Sequence, residues 1–190
     1  IKTLTIPENV KTIGTEAFSG LYALEELTIL SSADISGNFS GNKAIKKLTF
    51  GDDVKIISDF AFDGCTGITE LTIGSGVTEI GKCAFRNCIS LTKLSIGNKV
   101  ETIGDYAFYC EPTSENFIIT DIIIPDSVIT IGCYAFSGLP NITNLTIGSC
   151  VKTIGAGAFS SDDFINENLT SISIPDSVTT IGNRAFSGCI

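Results

Sequence analysis

The chain has 190 residues, 43% of them hydrophobic and 17% charged, enough apolar content to bury a core and too little charge for disorder by composition. A formal net charge of −9 opposes nucleic acid and anionic membrane as partners, since both require basic patches. The absence of histidine removes histidine triads and His-ligated metal sites, and no apolar run approaches the roughly 18 residues of a membrane-spanning helix.

The first predicted element is a strand ending at Ile6, followed by Pro7, where a missing N–H does no harm. The same succession then recurs along the chain. Each unit reads L-T-x-L-x-I, a Pro or Gly, two turn residues, V-x-x-I-G, and x-x-A-F, often with x-x-C after it. The A-F pairs end at Phe18, Phe62, Phe85, Phe108, Phe136, Phe159 and Phe186, and "NFSG" around Phe39 fills the long first gap as a degenerate copy. From Phe62 to Phe85, Phe85 to Phe108 and Phe136 to Phe159 the period is 23 residues. "IPDSVITIGCYAF" from Ile124 and "IPDSVTTIGNRAF" from Ile174 are nearly the same words. Internal repeats of this length signal a solenoid, in which the same core slot is filled once per coil.

Within a unit, pairs such as Leu71/Ile73 and Leu94/Ile96 alternate with a polar residue, as in a short strand with one buried face. Val77/Ile80, Val100/Ile103, Val128/Ile131 and Val178/Ile181 turn a second pair inward, and the glycine after each is expected to take a backbone conformation that a Cβ would oppose. The A-F segment is expected to be a short helical turn. The predicted fold is therefore about eight stacked coils with one parallel β-sheet on the concave face and short helical turns elsewhere. Residues 1–190 form a single domain, and because neither end reads as a polar cap, the domain is expected to be a segment of a longer array.

Two surfaces are candidates for a partner. On the outward side of the sheet, one row runs Thr3, Glu26, Lys47, Glu70, Lys93, Asp121, Asn144, Ser171, with alternating charge; the next runs Thr5, Thr28, Thr49, Thr72, Ser95, Ile123, Thr146, Ser173, nearly all hydroxyl. Such a face either satisfies itself through cross-strand pairs or offers hydrogen bonds to a protein or glycan. The second is the edge carrying two insertions, "YCEPTSENFIITDI" with Glu111, Glu115 and Phe117, and "SSDDFINENLTSI" with Asp162, Asp163 and Phe164. Insertions in repeats often mark a binding side, and they are equally well tolerated as drift. Asn38, Asn141, Asn144 and Asn168 begin N-x-S/T sequons.

Other apparent motifs dissolve into the repeat. "GVTEIGKC" (Gly76 to Cys83) matches a phosphate-binding loop only up to the position where Ser or Thr must hold magnesium. "GAGAF" at Gly155 falls on the same repeat position. The seven cysteines include no C-x-x-C pair, read as small buried hydrophobes, and are expected to be free thiols, Cys65 and Cys88 included. No cofactor, no metal and no catalytic group is expected.

"LTSISIPDSVTTIGNRAFSGC" (Leu169 to Cys189) resembles the consensus of BspA-like, TpLRR-class leucine-rich repeats, and the resemblance runs over essentially the whole chain. It departs in the second unit (Leu24 to Gly41) and in the two insertions. The resemblance implies a non-enzymatic recognition or adhesion module, cell-surface or secreted, with a protein or glycan ligand. An intracellular interaction scaffold and a passive spacer remain alternatives.

Overall fold

The computed structural model describes residues 1–111, 118–161, 166 and 168–189. Its strands are β1 (Thr3–Ile6), β2 (Glu26–Ile29), β3 (Lys47–Phe50), β4 (Ile56–Ile57), β5 (Glu70–Thr72), β6 (Glu79–Ile80), β7 (Lys93–Ser95), β8 (Thr102–Ile103), β9 (Asp121–Ile123), β10 (Thr130–Ile131), β11 (Asn144–Thr146), β12 (Thr153–Ile154) and β13 (Thr180–Ile181). All pairings are parallel. The fold is the expected leucine-rich repeat solenoid, with three differences of construction.

First, there is more than one sheet. The main sheet runs β1-β2-β3-β5-β7; β9 and β11 continue the same side of the coil as a separate pair. A second ladder, β4-β6-β8-β10-β12-β13, is formed by the V-x-x-I-G segments. The eighth unit adds no first strand: Ser171 and Ser173 are not in a ladder.

Second, the A-F segments are turns, and no helix occurs among the described residues. The residue before the A-F pair is left-handed in every unit: Glu16, Gly37, Phe60, Cys83, Tyr106, Tyr134, Gly157 and Arg184. This geometry splits the turn's N–H groups into two sets. In the third unit the N–H groups of Ala61, Asp63 and Cys65 close turns on Ser58, Phe60 and Phe62, while those of Phe60, Phe62 and Gly64 donate to Lys82, Ala84 and Arg86 of the next coil. A helix would spend all of them internally. The turn instead makes a third set of bonds along the stack, so each corner of the coil is held to its neighbour.

Third, the glycines of V-x-x-I-G do not take the left-handed conformation. Their role is steric. A Cβ on Gly132 would lie 2.6 Å from backbone atoms of Gly104 and Asp105 in the preceding coil, and one on Gly155 would lie 2.5 Å from Gly132 and Cys133.

The core is one continuous cluster. Phe18, Phe39, Phe62, Phe85, Phe108, Phe136, Phe159 and Phe186 stack ring on ring, with centroids 5.0 to 5.7 Å apart. Phe39 stands in this column, so the degenerate second unit is a true coil. It is also two residues shorter, since Glu26 to Lys47 spans 21 residues where Lys47 to Glu70 spans 23. The missing residues fall in the V-x-x-I-G segment, and the second ladder accordingly starts only at β4.

All seven cysteines are free thiols. Burial pushes the Cys65 and Cys110 thiols up to about 12 and Cys88 well above its ordinary value. A thiol reagent at pH 8 should modify exposed Cys150 rapidly and leave Cys65, Cys88 and Cys110 untouched until denaturant is added. Because these thiols are held protonated in the fold, their contribution to stability is complete below their ordinary value of 9.0 and is lost as pH rises toward about 12. Alkaline unfolding in that window, monitored by circular dichroism, is the check.

Candidate functional site

The outward face of the main sheet is set by strand alternation. Leu27, Leu48 and Leu71 point inward and are buried, so their neighbours on either side point out. The predicted charge row forms in register: Thr3, Glu26, Lys47, Glu70 and Lys93 are successive partners, as are Asp121 and Asn144. Lys93 and Asp121 are not partners, because the main sheet is interrupted between β7 and β9.

Along this row the charges largely satisfy one another. Lys93 Nζ lies 2.8 Å from Glu70 Oε1. The hydrogen bond from Lys93 holds the Glu70 carboxyl below its usual range and raises the Lys93 ammonium. Asp121 accepts from Thr120 Oγ1 at 2.5 Å and from Asn144 Nδ2 at 2.6 Å, and these bonds lower its carboxyl. Glu26 and Lys47 are register partners with no ion pair between them among the described residues. A charge cluster one residue earlier was not anticipated: Glu25 bridges Lys2 at 3.0 Å and Lys46 at 3.3 Å, and the bond from Lys2, then that from Lys46, lowers its carboxyl. Its signal was present in the sequence as the same repeat register displaced by one position.

The hydroxyl rows divide by use. Just before the strands, Thr69 Oγ1 donates to Lys46 O, Thr92 Oγ1 to Thr69 O and Thr143 Oγ1 to Thr120 O. These hydroxyls bind their own neighbours. Three residues on, Thr5, Thr28, Thr49, Thr72 and Ser95 stand in register on the outward face. Among the described residues their hydroxyls make no hydrogen bond. At the same position beyond the interruption stands Ile123, 67% exposed.

The insertion edge is described only in part. Glu111 is exposed, and its N–H donates to Asn87 Oδ1 at 2.9 Å. Glu115, Phe117, Asp162, Asp163 and Phe164 lie outside the described residues. Both insertions follow a unit in which the second left-handed residue of the turn, supplied elsewhere by Gly64, Asn87 or Gly138, is replaced by Cys110 or Ser161 without positive φ.

The other acidic turns have structural work. Asp52 Oδ1 accepts both the N–H and the hydroxyl of Ser75, and Asp126 Oδ1 accepts the N–H of Ser149, one coil on in each case. In the phosphate-loop look-alike, Glu79–Ile80 is strand β6 and the Cys83 N–H is spent on Asp105 O, so no anion cradle forms. Asn38 is buried, so its amide nitrogen is out of reach of a glycosylating enzyme, whereas Asn141, Asn144 and Asn168 are exposed. Among the described residues no helix is long and apolar enough to cross a membrane, and no group of three or more Cys, Asp or Glu is placed to hold a metal ion.

The profile of the BspA type leucine rich repeat region matches residues 34–119 and 114–190, in six copies. No curated protein sequence matches the chain. Among solved structures, the chain is similar to the leucine-rich repeat protein of T. pallidum, TpLRR, at 23% identity and a TM-score of 0.70, covering 99% of this chain and 76% of that one. It is also similar to the pneumococcal vaccine antigen PcpA, at 21% identity and a TM-score of 0.50, covering 96% of this chain and 62% of that one. A leucine rich cell surface protein from Faecalibacterium prausnitzii matches at 20% identity and a TM-score of 0.45, covering 100% of this chain and 71% of that one.

Proposed function

The chain belongs to the BspA type leucine-rich repeat family, and from that premise we propose that it is a non-enzymatic recognition module of a cell-surface or secreted protein, binding a protein or glycan through the outward face of its main sheet. What carries this reading is the hydroxyl row. Thr5, Thr28, Thr49, Thr72 and Ser95 stand about 4.8 Å apart, each with hydrogen-bonding capacity that the fold leaves unused. A passive spacer has no use for such a row, and the adjacent Thr69, Thr92 and Thr143 are of the same chemistry yet bound within the stack.

The face is extended over five paired strands, which suits a long or repetitive ligand. Glu26 and Lys47 stand beside the row and add charges that no ion pair holds among the described residues. A second reading, an intracellular scaffold on the same repeat, is favoured by seven cysteines that form no disulfide, the usual state in a reducing compartment.

Protease treatment of intact source cells separates the two compartments: loss of the domain while a cytosolic marker survives supports display outside, and full protection sinks it. The binding face is tested with Thr28→Val, Thr49→Val and Thr72→Val together, which keep shape and β-propensity and remove three hydroxyls. Against a panel of extracellular proteins and glycans, the triple variant should fold as the parent does and bind at least about tenfold more weakly. Unchanged affinity would remove the hydroxyl row from the interface.

A further inference from the structure

We propose that the cleft between the first two coils, on the A-F side, is a binding site for a neutral saccharide. It is separate from the sheet face and stands whether or not that face binds a partner.

The cleft exists because a set of bonds is missing. In each coil pair from the third unit onward, the N–H groups of the A-F turn donate to the next coil, as Phe62 does to Ala84 and Phe85 to Ala107. Between the first and second coils none of these bonds forms: the N–H groups of Glu16, Phe18 and Gly20 find no acceptor among the described residues. The Phe18 and Phe39 rings still stack at 5.0 Å, and Asn42 Nδ2 donates across to Leu21 O at 3.1 Å, so the coils are closed at the core and at Asn42 and open between them. The opening is about 240 Å³. That lies below the roughly 300 Å³ at which pockets for drug-sized ligands begin, so the occupant is small.

Three observations say what the occupant is. Asn38, which lines the cleft, is 92% buried (8% exposed), and its Oδ1 has no hydrogen-bond partner. It stands where every other unit has alanine, as at Ala61, Ala84 and Ala107. An amide in a slot built for a methyl group, with its oxygen unsatisfied, calls for a donor that the protein does not supply. Next, a Cβ on Gly37 or Gly41 would meet nothing within 4 Å, whereas one on Gly157 or Gly138, at the same repeat positions, would strike the preceding coil at 2.4 and 2.0 Å. Both glycines therefore face open space. Finally, Tyr22 is 85% exposed on the rim, with its ring 3.9 Å from the Cβ position of Gly20. It offers an apolar face beside a polar floor.

Donors, acceptors and an exposed aromatic ring together match a sugar, whose hydroxyls take the polar groups and whose C–H face lies on the ring. An anion would also seek the free N–H groups, but no Lys or Arg lines the cleft and the carboxylate of Glu16 does.

The test is a titration of the ¹⁵N-labelled domain with the methyl glycosides of glucose, galactose, mannose and N-acetylglucosamine, and separately with inorganic phosphate. The expected result is that at least one glycoside shifts the amides of Gly20, Tyr22, Gly37 and Gly41 saturably, and that Asn38→Ala and Tyr22→Ala each weaken it about tenfold or more. Asn38→Ala installs the residue the other units carry at this slot, so it should melt no lower than the parent and its loss of binding would not be a loss of fold. The proposal is overturned if no glycoside moves these amides, if phosphate moves them and no glycoside does, or if either variant binds as the parent does.

Discussion

Phe85→Ala should cost about 4 kcal/mol of unfolding free energy, within the range of about 3–5 kcal/mol for removing a buried phenylalanine. Phe85 is 1% exposed and lies between Phe62 at 5.7 Å and Phe108 at 5.3 Å, with the Phe50 ring edge-on at 6.1 Å. Its loss leaves a void in the middle of the column. The third-corner bonds, from Phe85 N–H to Ala107 O and from Phe62 N–H to Ala84 O, hold the coils at their spacing, so the neighbours cannot close over the void. Phe186→Ala is the control. That ring is half-buried and has one stacking neighbour, Phe159 at 5.4 Å, and its removal should cost no more than about 2 kcal/mol. Urea unfolding of both variants measures the difference. Equal costs would mean that the column does not act as a chain of nearest-neighbour contacts.

Gly132→Ala should be the other severe substitution, at about 3 kcal/mol, the upper end for overpacking, because the atoms it strikes are backbone. The new methyl would sit 2.6 Å from Gly104 C and Asp105 N and 2.7 Å from Asp105 Oδ1. Yielding would break the β8–β10 pairing, since Gly132 N–H donates to Ile103 O directly beside it. Gly14→Ala is the same substitution at the same repeat position in the first unit. No coil precedes it among the described residues, a Cβ there meets nothing within 4 Å, and the effect should be within about 0.5 kcal/mol of zero. Thermal melts of the pair decide the point. A comparable loss from Gly14→Ala would show that the glycine serves backbone freedom, the reason that the V-x-x-I-G pattern suggests when read alone.

The third unit illustrates the same rule from the opposite side. Ser58 occupies that position without a glycine, and the coil before it is the short one that contributes no strand to the second ladder. There the Ser58 hydroxyl accepts the N–H of Ile35 in the previous coil at 3.4 Å, so a side chain is admitted where the previous backbone stands a hydrogen bond away and refused where it lies within 3 Å of the Cβ.

Solenoid architecture, the period, the inward residues and the register of the outward rows were all legible in the amino-acid order, for one reason. A coil buries its apolar residues only against copies of itself, so each structural requirement is written once per unit and repetition makes it visible. Phe39 could be assigned to the column despite its degenerate unit, and Glu26, Lys47, Glu70 and Lys93 could be placed in one row, from spacing alone. Tertiary structure decided what depends on the neighbouring coil. The left-handed residue before each A-F pair is hidden because Glu16, Phe60, Cys83 and Arg184 share no chemistry; the position is set by backbone bonds along the stack, and side-chain identity does not report them. Whether a hydroxyl is spent, as at Thr69, or left over, as at Thr72, turns on which carbonyl of the adjacent coil lies within reach. The cleft at Asn38 opens because a unit two residues short brings two correct turns together out of step, and that mismatch exists only between coils.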